Sequence, residues 1–177
     1  MERSFLRVIY AALALPLALA SGCGYHTLGA ATHLPAGIRT LAVPLFATHT
    51  TTYHSEVVLT NAVLHEFATR TQLRVIPNEI GDPDAVLHGT ILQEVATPLT
   101  YNSQTEQASS YLLTVVISVT LTGHDGRVLY ENKNYVYREQ YQSTTDLPRM
   151  IDENPAAMER LSRTFARALV ADVLEGL

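Results

Sequence analysis

Cys23 is the one thiol in this 177-residue chain, and it directly follows Leu19-Ala20-Ser21-Gly22. A thiol is a nucleophile, and the residues upstream set what chemistry it meets. Arg3 and Arg7 precede an apolar or small stretch from Val8 to Ala20, and small residues then lead into the cysteine. A basic head, an apolar run and a small-residue cut compose a secretory signal peptide. The run is 13 residues long, short of the ~20 that a helix needs to cross a bilayer core. Removal of residues 1–22 is therefore expected, with Cys23 as the first residue left.

The other reactive groups do not assemble into a site. The seven histidines, His26, His33, His49, His54, His65, His88 and His124, include no pair at the i, i+4 spacing of a helical zinc motif, and there is no second cysteine to join them. His54-Ser55-Glu56 is a run of neighbours, whereas triad members meet in space. A Gly-x-Ser-x-Gly elbow and a nucleotide-type glycine loop are also missing. Neither an enzyme nor a cofactor is expected.

Two features of one segment point to binding instead. Tyr130, Tyr135, Tyr137 and Tyr141 crowd onto it, in a chain with nine tyrosines, four phenylalanines and no tryptophan. Tyrosine suits a half-buried partner surface, because its ring packs while its hydroxyl stays wet; it is also simply a good strand former. Arg127, Lys133 and Arg138 make the same segment basic, as a strip for anionic phosphates or as a solvated strand edge. Lys133 and Arg138 are an odd number of residues apart, so ideal alternation puts them on opposite faces unless Asn132-Lys133-Asn134 is bulged.

A signal peptide that ends on cysteine resembles the lipobox of bacterial lipoproteins, whose thiol takes a diacylglyceryl group before cleavage and whose freed amine is then acylated, commonly with palmitate. The usual leucine three places before the cysteine is Ala20 here, with Leu19 one earlier. Burial of acyl chains is worth roughly 0.8 kcal/mol per methylene, and two chains hold a protein stably at a membrane. Gly24, in place of the aspartate that favours inner-membrane retention in enteric bacteria, points by resemblance to the outer membrane.

Without residues 1–22, which carry Arg3, Arg7 and Glu2, the chain keeps ten basic and sixteen acidic side chains, a net charge of −6. That balance argues against a nucleic-acid partner, which needs a basic stripe. The 155 residues that remain suffice for one domain with a core. With the only cysteine committed to lipid, packing must supply its stability. Residues 23–36, polar or small, form a lipidated tether, and residues 37–177 the domain.

The elements that must position these groups follow from periodicity. Ile38 to Phe46 suits a first strand, broken or at an edge because of Pro44. His54 to Arg70 shows helical spacing, with Leu59, Ala62, Val63, Phe67 and Arg70 on one stripe and Thr60 among the polar positions. Leu73 to Ile76 is a short extended run. Strands are expected at Ala85 to Ala96, Tyr111 to Thr122 and Arg127 to Tyr141. In the middle one, Tyr111, Leu113, Val115, Ile117, Val119 and Leu121 share a face, and Leu112 and Val116 interrupt an otherwise polar opposite face. One wet face is the mark of an antiparallel sheet covered on one side. Gly123-His124-Asp125-Gly126 is a hairpin turn, and the polar link around Tyr101 a longer loop or hairpin tip. A last helix starts at Asn154-Pro155, with Met158, Leu161, Phe165, Ala168, Leu169 and Val173 as its stripe. The expected fold is an α/β two-layer sandwich: a mixed, mostly antiparallel four-stranded sheet with two helices on one face, in the order β-α-β-β-β-α.

Cys23-Gly24-Tyr25-His26, then Leu34-Pro35-Ala36-Gly37-Ile38-Arg39-Thr40-Leu41-Ala42-Val43-Pro44-Leu45-Phe46, then Glu66-Phe67-Ala68-Thr69-Arg70 resemble the LPS-assembly lipoprotein family LptE. Asp84-Ala85-Val86-Leu87-His88-Gly89, Gly126-Arg127-Val128-Leu129-Tyr130-Glu131-Asn132 and the last helix match in order and spacing. The ordered set, and no single piece, carries the resemblance. Ala47-Thr48-His49-Thr50 departs from it where relatives often carry an asparagine. The resemblance implies a non-enzymatic outer-membrane lipoprotein that plugs an LptD-type β-barrel, supports its assembly and helps to pass lipopolysaccharide to the surface. Arg127, Lys133 and Arg138 are then candidate lipopolysaccharide contacts. Tyr101, Gly123, His124, Asp125, Gly126, Tyr130, Tyr135 and Tyr137 are candidate barrel contacts, with the turn at Gly123 to Gly126 and the loop at Thr100 to Ser110 reaching into the lumen while the exposed sheet face contacts the barrel wall. The competing class is a periplasm-facing lipoprotein that regulates an envelope enzyme or a secretion system, since such families share an Ile-Arg-Thr-Leu-Ala-Val type of first strand.

Overall fold

The computed structural model describes residues 37–50, 54–101, 108–142 and 154–175. The signal segment, Cys23, the tether and most of the loop beyond Tyr101 lie outside these residues.

Strands β1 (Thr40–Ala42) and β2 (Ala47–Thr48) lead into helix α1 (Ser55–Arg70) and strand β3 (Arg74–Ile76); three long strands, β4 (Ala85–Tyr101), β5 (Ala108–Gly123) and β6 (Val128–Gln142), precede helix α2 (Asn154–Glu175). The sheet runs β3-β1-β4-β5-β6, with β2 also on β4. β1 is parallel to β3 and β4, whereas β4, β5 and β6 form an antiparallel meander. The two-layer arrangement and the mixed, mostly antiparallel sheet are as expected. The sheet is larger by β2 and β3, each too short to show a period in the sequence.

Pro44 breaks the first strand without placing it at an edge. β1 pairs Ala42 with Val86, and pairing resumes only at Ala47 with Thr90, because proline has no N–H for the ladder. The interruption turns Phe46 into the core, 2% exposed. Its backbone N–H donates to Thr60 Oγ1 at 3.0 Å, and that hydroxyl donates to Glu56 O at 2.6 Å. Thr60, which periodicity assigns to the polar side of α1, is accordingly buried, while Arg70 stands outside and pairs with Glu66.

Gly89 on β4 makes the space for that phenyl ring. A Cβ there falls 2.4 Å from the Phe46 ring, well inside contact distance. Gly89→Ala is expected to cost about 1–3 kcal/mol by overpacking, read from the urea midpoint. Phe46→Leu in the same chain should recover part of the loss, since two residues in contact do not add independently.

The core lies between the sheet and the helices. Ala85, Leu87 and Ile91 of β4 and Leu113, Val115, Ile117, Val119 and Leu121 of β5 are buried on one face. They meet Leu59, Val63 and Phe67 of α1 and Leu161, Phe165, Leu169 and Val173 of α2. Helix α2 packs on both α1 and β6, so its buried face is wider than one stripe and takes in Ala166 and Val170. Phe165 is the hub of an aromatic cluster: its ring meets Tyr135 and Tyr137 edge-on at 5.6 Å and Phe46 at 6.4 Å.

Candidate functional site

The helices cover one side of β4-β5-β6 and leave the other open. Residues aligned across the three strands on that open side form rows: Gln93, Val116 and Val136; Val95, Thr114 and Arg138; Thr97, Leu112 and Gln140. Val95 and Val136 stand 41% and 38% exposed. Leu112 and Val116, the two exceptions in the β5 alternation, thus belong to an apolar patch ringed by threonine and glutamine. The patch continues along β4 past Ile91, where a bulge at Leu92 interrupts the register and the strand extends as an arm exposed through Tyr101. Tyr101 itself is 66% exposed.

A second bulge decides the chemistry of the open face. On β6, Asn132 pairs with Val119 and Tyr135 with Ile117, so Lys133 and Asn134 together face Ser118. An extra residue shifts the alternation by one. Lys133 and Arg138, five apart, therefore share the open face. Asn134 N–H donates to Asn132 Oδ1 at 3.0 Å and closes the bulge as an Asx turn.

The same shift puts Tyr130 and Tyr135 together on the covered face. Tyr135 O–H donates to Asp172 Oδ2 of α2 at 2.6 Å, and the Tyr130 and Tyr135 hydroxyls are hydrogen-bonded. Tyr135 has one proton and gives it to the carboxylate, so Tyr130 is the donor of the second bond. Burial first, and then the bond to Asp172, pushes the Tyr135 phenol far above its ordinary range; burial likewise raises Tyr137. Both phenols stay protonated at neutral pH. These tyrosines pack under α2, and the Tyr130 and Tyr135 hydroxyls bond within the molecule instead of staying wet. The open face is aliphatic, with Tyr101 at its far end.

The three candidate cations do not form one cluster. Arg127 sits beside the β5-β6 turn, 3.9 Å from Asp125. Lys133 pairs with Glu131 at 3.3 Å. Arg138 is exposed on β6 and makes no ion pair among the described residues. Ten pleated steps separate Arg127 from Arg138, about 34 Å at the usual rise per residue. Arg138 shares the open face with Val95, Val116 and Val136.

The turn Gly123 to Gly126 closes with Gly126 N–H donating to Gly123 O at 2.9 Å, and Gly126 takes a φ of 78°, which suits glycine. It lies at the end of the sheet where the described chain begins. Asp84 organises that end: its Oδ2 accepts Arg39 N–H at 2.9 Å and Thr40 N–H at 2.8 Å, and its carbonyl accepts His124 N–H at 2.8 Å. The Arg39 and Thr40 donors hold its carboxyl below the ordinary carboxylate range. A cavity of about 280 Å³ opens here among Gly37, Ile38, Asp84, Asp125 and Arg127. A carboxyl whose pKa falls on folding adds stability above its unfolded value, near 3.9, and loses it as pH drops through the folded one. Asp84→Ala should therefore lower the thermal midpoint at pH 7, with the gap to the parent narrowing as pH falls through the folded-state pKa.

The turn and the arm are at opposite ends of β5. Gly123 pairs with Ala85 and Ala108 with Tyr101, about 50 Å apart at the usual rise for the intervening residues. They are two separate tips of the sheet.

The sheet has one helix-covered face and one open face, and the described residues hold no cluster of three metal-ligating side chains. Residues 38–173 match the model of the LptE lipopolysaccharide-assembly family, and the chain belongs to that family. Membership carries a role in lipopolysaccharide assembly, and a non-enzymatic one. No curated protein matches the chain in sequence. Solved structures share the fold at low identity. A candidate lipoprotein from Caulobacter crescentus CB15 is 14% identical with a TM-score of 0.52, over 74% of this chain and 87% of that one. A DUF330 protein from Xanthomonas campestris is 17% identical with a TM-score of 0.51, over 80% and 90%. A protein from Chlamydia trachomatis is 10% identical with a TM-score of 0.50, over 77% and 96%. No helix among the described residues is long and apolar enough to cross a membrane.

Proposed function

We propose that this chain is an outer-membrane lipoprotein, held by acyl chains on Cys23, that plugs an LptD-type β-barrel, supports its assembly and assists delivery of lipopolysaccharide to the surface. The observation that carries the proposal, beside family membership, is the uncovered face of β4-β5-β6. It is aliphatic at its centre, polar around it, and bears Arg138, which has no ion pair among the described residues. A barrel wall takes the aliphatic and threonine-rich area, and a lipopolysaccharide phosphate takes the guanidinium, for which a bidentate contact is the natural geometry.

The long axis of the sheet supports the placement. Its ~50 Å, from the strand rise, exceeds the ~30 Å hydrocarbon core. A domain standing along a barrel axis would therefore carry Tyr101 and the turn at Gly123 to Gly126 to the two ends of the lumen. Mild-detergent extraction of the acylated protein should recover a large β-barrel together with lipopolysaccharide. Recovery of the intact lipoprotein alone would contradict the proposal.

A further inference from the structure

We propose that Tyr130, Tyr135 and Asp172, all on the covered side of the sheet, are positioning residues for the open side: their hydroxyl–carboxylate chain holds the bulge that puts Lys133 and Arg138 on one face. This rests on the proposed function for its biological use, but not for its geometry. Tyr130 precedes the extra residue of β6 and Tyr135 follows it, so the bond between their hydroxyls spans the bulge. It exists only when both side chains lie under α2. Regular alternation would put residues five apart on opposite faces, separating the two hydroxyls and, in the same move, Lys133 from Arg138.

Helix α2 fixes which side of the bulge is the reference. Asp172 accepts from Tyr135 at 2.6 Å, and Arg160 Nε meets Glu139 Oε1 at 2.6 Å. Both clamps grip β6 after the bulge. The segment before it follows through the Tyr130 hydroxyl, helped by the Asx turn of Asn132. The alternative register keeps the clamps but turns Tyr130 outward and leaves the Tyr135 oxygen without its donor. An edge strand has a neighbour on one side only, so side-chain bonds weigh more heavily in choosing its register than they do in a central strand.

The test is the cross-strand pairing itself. In isotope-labelled protein spanning residues 23–177 with Cys23→Ser, backbone nuclear Overhauser contacts should join Val119 to Asn132 and Ile117 to Tyr135. In Tyr130→Phe and in Tyr135→Phe, each of which removes the bond that spans the bulge, the Val119 contact should move to Lys133 or split between the two partners, while Ile117 stays with Tyr135. An unchanged contact pattern in both variants, even with a lowered thermal midpoint, would show that the bonds only add stability and would overturn the inference. Lipopolysaccharide titration on the same samples separates the two proposals. A shifted register with weakened binding, matching Lys133→Gln, supports both. A shifted register with unchanged binding keeps the positioning role and removes Lys133 from the proposed function.

Discussion

Phe165→Ala is expected to lower stability by about 3–5 kcal/mol, the range for removing a fully buried phenyl ring. Phe165 is 0% exposed and touches the rings of Phe46, Tyr135 and Tyr137. It therefore ties α2 to the β1-β2 break and to β6 at once. The surrounding shell cannot close over the gap easily, because Phe46 is held through its backbone by Thr60 and Tyr135 by Asp172. Domains of this size have only about 5–15 kcal/mol to lose. At roughly 2–4 °C per kcal/mol, the thermal midpoint should fall by about 6–20 °C. Phe165→Leu, which keeps most of the volume, should fall far less. A midpoint for the alanine variant within about 2 °C of the parent would mean that the aromatic cluster is not the junction of the two layers.

The second large effect concerns location. Cys23→Ser removes the thiol proposed to carry the acyl chains, and each buried methylene is worth roughly 0.8 kcal/mol, so a 16-carbon chain alone would represent about 12 kcal/mol of apolar burial. The variant should move from the membrane pellet to the soluble envelope fraction and lose the acyl mass. Its circular dichroism and thermal midpoint should match the parent, because Cys23 lies ahead of the family-matched residues 38–173. Sedimentation with membranes at parental levels, or acylation of the serine variant, would remove the lipid anchor from the account.

Much of the fold was legible because β5 states its burial directly: Leu113 to Leu121 alternate without interruption and are buried in that alternation. The helices were legible by the same logic at period 3.6. What was not legible arose from single-residue events. Pro44 announced a break, yet nothing local indicates that Phe46 then turns inward against Gly89. Thr60 reads as polar and is buried, because its hydroxyl caps a backbone N–H from a segment 14 residues away.

The surroundings of the β6 tyrosines were illegible for a related reason. The tyrosines of β6 looked like a wet interface, but their hydroxyls find Asp172 and each other inside the molecule. The bulge that achieves this also joins Lys133 to Arg138. Asn132-Lys133-Asn134 is its only trace in the sequence, and nothing local in that run shows that the Tyr130 and Tyr135 hydroxyls meet across it. Leu112 and Val116, which looked like flaws in an alternation, mark the open face better than the tyrosines do.

The claim that the open sheet face meets the barrel is tested most directly by a photo-crosslinking residue at Val136, in the full acylated protein in its own membrane. An adduct of the mass of this chain plus a large β-barrel is predicted. A barrel that co-purifies with this variant yet forms no adduct from position 136 would contradict it.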